Sequence, residues 1–180
     1  MKKLFTLLLA FGILSLLPLS AAENRKNEVT LTFELKEKGA PTIHITEAPN
    51  GIVIDEYKGK IVLLNFFGKH CKWCMKEIPH LVSLQKKHPK IFQVIAIHAQ
   101  QPMTPGERHM LEKKFGFNYP IYEYSNNPDF VQYIAHRAQW EGGLPFSIVF
   151  DQNGSAVKII PGYAPEEDLE KIIEVLAKPE

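Results

Sequence analysis

The sequence predicts an α/β fold with a central mixed β-sheet flanked by helices. After residue 60, segments with the patterns of strands and helices follow in the order strand, helix, strand, helix, helix, hairpin, helix. Such alternation indicates parallel strands joined by right-handed crossovers, and the closing hairpin adds antiparallel strands to the same sheet. A chain of 180 residues has the length of one domain, and nothing after its N-terminal segment has the composition of a linker.

Residues 1–22 have the layout of a secretory signal peptide, with two lysines, an apolar stretch interrupted by Pro18, and small residues before a polar segment. Ser20 and Ala22 fit the small-x-small pattern, so we expect cleavage after Ala22 and a single domain over residues 23–180. An uncleaved membrane anchor is the alternative, although a span needs about 20 predominantly apolar residues and this run is shorter. After cleavage we expect no stable insertion into a membrane.

The charge of the chain is nearly balanced. Its formal net charge at pH 7 is +1 with the histidines neutral, and loss of Lys2 and Lys3 with the signal peptide lowers it by two, to −1. The mature chain therefore has no strong field that would recruit nucleic acid or anionic lipid. We expect neither to be a partner.

Three short strands are predicted before residue 60. Residues 29–35 (VTLTFEL) alternate apolar and polar side chains, as a half-buried strand does. Residues 42–46 (TIHIT) and 52–54 (IVI) flank Asn50-Gly51, a pair that favours a tight hairpin turn. These strands form an N-terminal β extension to the main sheet.

The first strand and the first helix of the main sheet are predicted to meet near residue 70. Residues 61–67 (IVLLNFF) are almost continuously apolar, which suits a central strand covered on both faces. Apolar residues recur at helical spacing from Lys72 to about Lys87, and Pro79 is expected to kink that helix because it has no backbone N–H. Residues 91–98 (IFQVIAIH) form a second buried strand.

The middle of the chain contains a helix with both ends marked. Thr104-Pro105-Gly106-Glu107 provides an N-cap, a proline in the first turn and a glutamate three residues after the cap, and Gly116 marks the end. Residues 118–124 (NYPIYEY) are predicted to be extended. Asn127-Pro128-Asp129 then begins another helix.

A hairpin and a helix close the chain. Residues 146–160 (FSIVFDQNGSAVKII) are predicted to be two strands around Asn153-Gly154. Pro165 begins a final helix with an apolar face, and three acidic residues in its first turn complement the positive end of the helix.

Cys71 and Cys74 are the only cysteines of the chain, and they lie where the buried strand gives way to the helix. First-turn amides and the helix dipole stabilise a thiolate at such a position and lower its pKa below the free value of about 8.5. The neighbours Lys69, Lys72 and protonated His70 add to this effect. We therefore predict that Cys71 is the exposed nucleophile and that Cys74, facing inward, resolves the mixed disulfide.

Other uses of the cysteine pair fit the sequence less well. A bridge that closes so short a loop removes little entropy from the unfolded chain, so it is a poor structural staple. Metal binding is the main chemical alternative, with candidate ligands Cys71, Cys74, His70 and His80. Structural zinc typically takes two pairs of ligands from separate segments, whereas these four residues lie within eleven positions, so the thiophilic ion Cu(I) is favoured over zinc. Haem attachment requires a histidine directly after the second cysteine, where this chain has Met75.

Residues 63–79 (LLNFFGKHCKWCMKEIP) resemble the active-site segment of the thioredoxin superfamily, in particular of its exported TlpA and ResA branch, where Cys-x-x-Cys is followed by x-x-Glu-x-Pro. The resemblance covers most of residues 50–178. Residues 143–154 (GLPFSIVFDQNG) resemble a second motif, whose proline is cis and faces the cysteines. The resemblance implies a thioredoxin fold, a cis Pro145, and backbone hydrogen bonds from Leu144 to a substrate strand.

The resemblance also implies roles for residues around the cysteines. Asn65 stands where cytoplasmic thioredoxins carry a buried Asp. Glu77 occupies the position of a glutamate near the dithiol of the exported branch, which implies a proton acceptor for Cys74; the alternative is a solvated glutamate on the helix. His70 replaces a common tryptophan and is interpreted either as a stabiliser of the thiolate or as an exposed residue at the rim of the site.

Lys72 and Trp73, between the cysteines, are predicted to contact the substrate. In the family these two positions strongly influence the reduction potential, so they leave the direction of electron flow open. Residues 100–128 correspond to the central insertion of the exported branch, which is expected to shape the choice of partner. The other histidines are interpreted as surface or hydrogen-bonded residues rather than ligands: His80, His88, His98, His109 and His136.

The function implied by the resemblance is that of a periplasmic thiol-disulfide oxidoreductase, a monomeric dithiol reductase that acts on protein disulfides. Apocytochrome c is the implied substrate, since haem ligation to Cys-x-x-Cys-His requires free thiols, and a membrane protein of the DsbD or CcdA type is the implied electron donor. No flavin, nucleotide or metal is implied. Two alternatives stay open, namely a disulfide oxidase or isomerase of the same fold and a Cu(I)-binding module.

Overall fold

The computed structural model describes residues 30–178. The predicted signal peptide, residues 1–22, and the first residue of the predicted strand 29–35 lie outside these described residues. Between residues 30 and 178, no helix is both long enough and apolar enough to cross a membrane.

The described residues form eight strands and four helices: β1 (Thr32–Leu35), β2 (Ile43–Ala48), β3 (Gly51–Ile54), β4 (Ile61–Phe67), α1 (Lys72–Lys87), β5 (Phe92–His98), α2 (Pro105–Phe115), β6 (Ile121–Glu123), α3 (Pro128–Ala138), β7 (Phe146–Phe150), β8 (Ala156–Pro161) and α4 (Glu166–Leu176). Only Ile121–Glu123 of the extended segment predicted over 118–124 is a strand: residues 118–120 precede it without regular structure, and Tyr124 begins a turn of 3-10 helix that leads into α3. The predicted capping box of α2 is present, and Gly116 ends that helix with a left-handed φ of 62°.

Five strands form the main sheet in the order β6-β5-β4-β7-β8. β4 runs parallel to β5 and antiparallel to β7, and β8 pairs antiparallel with β7, as the sequence predicts. All seven residues of the central strand β4 are buried. This strand ends four residues before Cys71, so the centre of the sheet carries the cysteine pair at one end.

The three N-terminal strands form a separate antiparallel sheet in the order β1-β2-β3. The predicted turn is wrong by one residue, since Ala48 pairs with Gly51 and the turn is centred on Pro49 and Asn50. Gly51 is needed for a different reason: a Cβ atom there would lie 2.1 Å from the carbonyl oxygen of Gly154. The hairpin therefore docks backbone to backbone on the loop between β7 and β8.

Two apolar clusters fill the space on either side of the main sheet. One lies between this sheet, the N-terminal sheet and α3, and it includes Ile43 and Phe66. The other lies beneath α1 and α4, and it includes Leu81 and Leu169. Because neighbouring residues of a strand face opposite sides, β4 contributes to both clusters. Burial of these side chains fixes the position of the strand end from which the cysteine loop extends.

Candidate active site

Cys71 is the N-cap residue of α1. Its backbone is extended, with φ −91° and ψ 106°, and its carbonyl oxygen accepts the first helical hydrogen bond from Met75 N–H at 3.0 Å. Cys71 and Cys74 form a disulfide with a Cα–Cα distance of 5.2 Å. The strand-to-helix junction predicted from the sequence thus falls on the cysteines.

The two sulfur atoms differ in their surroundings. Cys74 is 1% exposed, whereas Cys71 is only half-buried. The backbone N–H of Cys74 donates a hydrogen bond to Cys71 Sγ at 3.1 Å. An amide at the positive end of a helix stabilises a thiolate on the atom that it faces, so the geometry favours Cys71 as the anionic sulfur after reduction.

Glu77 is buried beside the cysteines, on the same helix as Cys74 and three residues after it. Its side chain is 1% exposed and accepts hydrogen bonds from Asn65 Nδ2 at 3.0 Å and from Ala164 N at 2.9 Å. Burial raises the pKa of Glu77 to about 7, although both hydrogen bonds oppose this rise. Glu77 is therefore a core residue and not a solvated helix glutamate.

The second predicted motif lies beside the end of β4. The Leu144-Pro145 peptide bond is cis, as the resemblance implies. Phe146, the next residue, pairs with Phe66 of β4, so Pro145 is adjacent to the strand end that leads to the cysteines. Leu144 packs on the apolar cluster that contains Cys74 and against which Cys71 also packs.

The two residues between the cysteines are exposed, as expected for candidate substrate contacts. The Trp73 side chain is 53% exposed and packs against the Tyr163 ring at a centroid distance of 5.6 Å. Lys76 Nζ lies 4.5 Å from the centre of the Tyr163 ring and 5.3 Å from that of Trp73. Lys72 is exposed at the start of α1. An aromatic and basic surface therefore borders the disulfide.

Lys69 differs from the sequence prediction. Its Nζ atom lies 2.8 and 2.9 Å from the two carboxylate oxygens of Glu107 in α2, so its charge is paired there rather than reserved for Cys71. This contact is the main reason that the pKa of Glu107 is lowered to about 2. This pairing weakens the case for a contribution of Lys69 to thiolate stability, which stays a prediction. The His70 side chain is exposed at the rim of the site.

The structure adds site residues that sequence reasoning did not single out. Asn65 Nδ2 also donates to Ser147 Oγ at 2.9 Å, which links Glu77 to the strand after Pro145. A polar residue inside an otherwise apolar strand was the available signal for Ser147. Ala164 left no such signal, because it acts through its backbone.

Metal-ligating side chains are not grouped around the cysteines. Within residues 30–178, no cluster of three or more His, Cys, Asp or Glu side chains has the spacing to hold a metal ion. His80 packs against the Tyr163 ring at a centroid distance of 5.9 Å. His98 is fully buried and hydrogen-bonded, which agrees with its interpretation as a satisfied histidine.

The chain is similar in sequence to proteins of a known family. The family model described as Redoxin matches residues 35–176. A thiol-disulfide oxidoreductase ResA from Geobacillus kaustophilus is 30% identical over 122 residues, which cover 67% of this chain. The match spans 66% of that relative's length, slightly less than two thirds.

Solved structures similar to this one confirm the fold. A thiol:disulfide interchange protein of the thioredoxin family from Chlorobium tepidum has a TM-score of 0.56 and 26% identity, over 69% of this chain and 86% of that one. StoA from Bacillus subtilis has a TM-score of 0.57 and 17% identity, over 78% of this chain and 95% of that one. The thioredoxin fold predicted from the two motifs is therefore confirmed.

Proposed function

The chain belongs to the Redoxin family, and on that premise we propose that it is a thiol-disulfide oxidoreductase that reduces protein disulfides outside the cytoplasm. The observation that carries this proposal is the unequal environment of the two sulfur atoms. Cys71 is accessible at a helix N-terminus, and Cys74 is buried behind it. This is the arrangement that thiol-disulfide exchange with a large partner requires.

The first step forms a mixed disulfide. In the reduced protein the Cys71 thiolate attacks one sulfur atom of the partner disulfide. A bond forms between Cys71 Sγ and that sulfur, the partner S–S bond breaks, and the second partner sulfur leaves as a thiolate that takes a proton from water. The Cys74 N–H and the helix dipole stabilise the attacking thiolate.

The second step releases the product. The Cys74 thiol gives its proton to the Glu77 carboxylate, and the Cys74 sulfur attacks Cys71 Sγ. The Cys71–Cys74 bond forms, the mixed disulfide breaks, and the remaining partner sulfur leaves as a thiolate. A pKa of about 7 suits Glu77 to this transfer, because it both accepts and returns a proton near neutral pH.

Pro145 and Leu144 are proposed to hold the substrate backbone, and Trp73 and Lys72 to contact its side chains. The position of the Leu144-Pro145 peptide beside the end of β4 supports this arrangement.

The physiological setting is proposed from the sequence. We propose that the mature protein is a monomer in the periplasm, and the signal-peptide pattern of residues 1–22 supports its export. Apocytochrome c is the proposed substrate, and a membrane protein of the DsbD or CcdA type the proposed source of electrons. The resemblance to ResA and its branch supports both.

Trapping of the mixed disulfide tests this function. The reduced Cys74→Ser variant is incubated with an oxidised Cys-x-x-Cys-His peptide, and the Cys71→Ser variant serves as the matched control. We expect a covalent adduct at Cys71 in the first variant, no adduct in the second, and release of reduced peptide only by the wild type. Equal adduct formation by both variants would overturn the assignment of Cys71 as the nucleophile.

A further inference from the structure

The loop that connects β4 to Cys71 is a tight turn. The Cys71 N–H donates to the carbonyl oxygen of Gly68 at 3.1 Å, so Gly68 and Cys71 are the ends of the turn and Lys69 and His70 are its centre. The backbone N–H groups of the two central residues have no hydrogen-bond acceptor within the turn itself. They need acceptors from elsewhere in the molecule.

Both acceptors are side chains from one neighbouring segment, at the end of β5. The Lys69 N–H donates to His98 Nε2 at 3.2 Å, and the His70 N–H donates to Gln100 Oε1 at 3.0 Å. The Ala99 N–H, between these two residues, donates to the carbonyl oxygen of Phe67 at 2.8 Å. The segment 98–100 is therefore hydrogen-bonded to both central residues of the turn and to Phe67, which precedes it.

The hydrogen bonds of His98 determine its protonation. Because Lys69 N–H donates to Nε2, that nitrogen carries no proton, and Nδ1 must be the protonated nitrogen of a neutral ring. Nδ1 lies 2.8 Å from Glu123 Oε2, which accepts a hydrogen bond from the Nδ1–H group. His98 is fully buried, so no water replaces either contact. Glu123 in β6 thus orients the ring so that Nε2 faces the turn.

Gly68 shows how closely Gln100 packs on the turn. A Cβ atom at Gly68 would lie 2.3 Å from the side-chain amide carbon of Gln100. Any larger residue at position 68 would displace this side chain. The absence of a side chain at Gly68 is what allows Gln100 to reach the His70 N–H.

We propose that His98 and Gln100 are positioning residues for the Cys71 nucleophile. They accept hydrogen bonds from the N–H groups of the two central residues of the 68–71 turn. These bonds keep Cys71 at the N-cap of α1, where its sulfur faces the Cys74 N–H. The inference deepens the proposed function, on which it rests, because the position of Cys71 matters only if its thiolate reacts. Among the described residues, neither side chain has a hydrogen bond to a cysteine sulfur atom. They act through the backbone of Lys69 and His70.

The first test compares two substitutions of His98. In His98→Gln the side-chain oxygen reaches the place of Nε2 and still accepts from Lys69 N–H. In His98→Asn the side-chain amide reaches only the place of Nδ1, so the bond to Glu123 is kept and the acceptor for Lys69 is lost. The pKa of Cys71 in the reduced full chain is measured from the pH dependence of its alkylation.

We expect His98→Asn to raise the Cys71 pKa by on the order of one unit, towards the free value of about 8.5, and His98→Gln to raise it clearly less. Nitrogen NMR of the wild type should show His98 protonated on Nδ1 alone. An equal pKa shift in both variants, or a proton on Nε2, would overturn the role given to His98.

The second test avoids the core, since a buried histidine variant can fail to fold. Gln100 is half-buried, and Gln100→Leu removes the acceptor for His70 N–H at similar volume. Gln152→Leu is the matched control. Gln152 is also half-buried, but its side chain donates a hydrogen bond to the carbonyl oxygen of Leu176 and not to the 68–71 turn. We expect a raised Cys71 pKa in the first variant only.

An unchanged Cys71 pKa in folded Gln100→Leu would sink the inference for Gln100. This outcome is separable from failure of the proposed function, because the pKa is measured without any partner. If the wild type forms no mixed disulfide while the variants show the predicted pKa shifts, the function is refuted and the positioning role stands.

Discussion

The side-chain amide of Asn65 donates a 3.0 Å hydrogen bond to the buried carboxyl group of Glu77. In cytoplasmic thioredoxins the buried acid is on the strand, at the position that Asn65 occupies here. In this chain the acid is on α1 and the strand supplies an amide that holds it. The proposed proton acceptor therefore lies on the same helix as Cys74, three residues after it.

Replacing Glu77 with Gln should slow the release step at neutral pH. With the wild type, the single-turnover rate of product release should rise with pH through about 7, where Glu77 ionises. The variant should lose this rise and be slower by about 100-fold or more above pH 7, the usual contribution of a positioned general base. Rapid-mixing kinetics on a preformed mixed disulfide measure it. A superimposable pH profile would contradict the role of Glu77.

The stability of the oxidised protein should fall as pH rises from 4.5 to 7. Burial raises the pKa of Glu77 from its ordinary 4.5 to about 7, so the folded state keeps a proton that the unfolded state has released in this window. The resulting loss in the free energy of unfolding is absent below pH 4.5, is complete above pH 7, and is on the order of 3 kcal/mol. Urea unfolding at a series of pH values measures this dependence.

Glu77→Gln should remove most of that pH dependence. Glu107→Gln is the matched control, because Lys69 lowers the pKa of Glu107 to about 2 and this group does not titrate in the same window. If the stability of Glu77→Gln still falls between pH 4.5 and 7, another group causes the pH dependence.

Much of this site was predictable because it depends on local sequence. The helix start at Cys71 and the capping box at Thr104 follow from a few neighbouring residues, and the structure has both. The cis Pro145 followed from a motif rather than from physics. Only the family resemblance indicated that Glu77 lies near the dithiol. Its burial could not be predicted from local sequence, since its partners Asn65 and Ala164 come from distant parts of the chain.

Replacing Trp73 with Ala should weaken the reaction with protein disulfides more than that with a small disulfide. The Trp73 ring is 53% exposed beside the cysteines and gives a protein substrate an apolar surface that a small reagent does not need. We expect the ratio of the two second-order rate constants to fall several-fold, on the order of 1 kcal/mol in binding. Using a ratio cancels any change in reduction potential.

Val175→Ala is the matched control for Trp73→Ala, because Val175 is 64% exposed on α4 and does not border the disulfide. It should leave the ratio of rate constants unchanged. A fall of equal size in both variants would remove the argument for a substrate surface at Trp73.

Replacing Gly51 with Ala should destabilise the protein by about 1–3 kcal/mol, as overpacking does. The new Cβ atom would meet the Gly154 carbonyl oxygen at 2.1 Å, and a backbone atom cannot move aside as a side chain can. Urea denaturation of the oxidised protein measures the loss.

The control for Gly51→Ala is Gly106→Ala, because Gly106 lies in α2 with no atom within 4 Å of an added Cβ. This change should stabilise the protein by up to about 1 kcal/mol through helix propensity. A Gly51→Ala variant as stable as the wild type would show that the hairpin is not docked on the β7–β8 loop.

Features that depend on contacts between distant segments were not predictable. Asn50-Gly51 matched a hairpin pattern, but the close approach of Gly154 is what requires the glycine. His98 and Gln100 looked like isolated polar residues at the end of a strand. Their role depends on the parallel pairing of β4 and β5, which brings segment 98–100 beside the turn before Cys71.

The reduction potential of the Cys71–Cys74 pair tests the central claim most directly. It is measured by equilibration in glutathione or dithiothreitol buffers and alkylation of the free thiols. We predict a value near or below about −250 mV, on the thioredoxin side of the scale, as a protein-disulfide reductase requires. A value near the roughly −120 mV of DsbA would contradict this account and make the protein an oxidase.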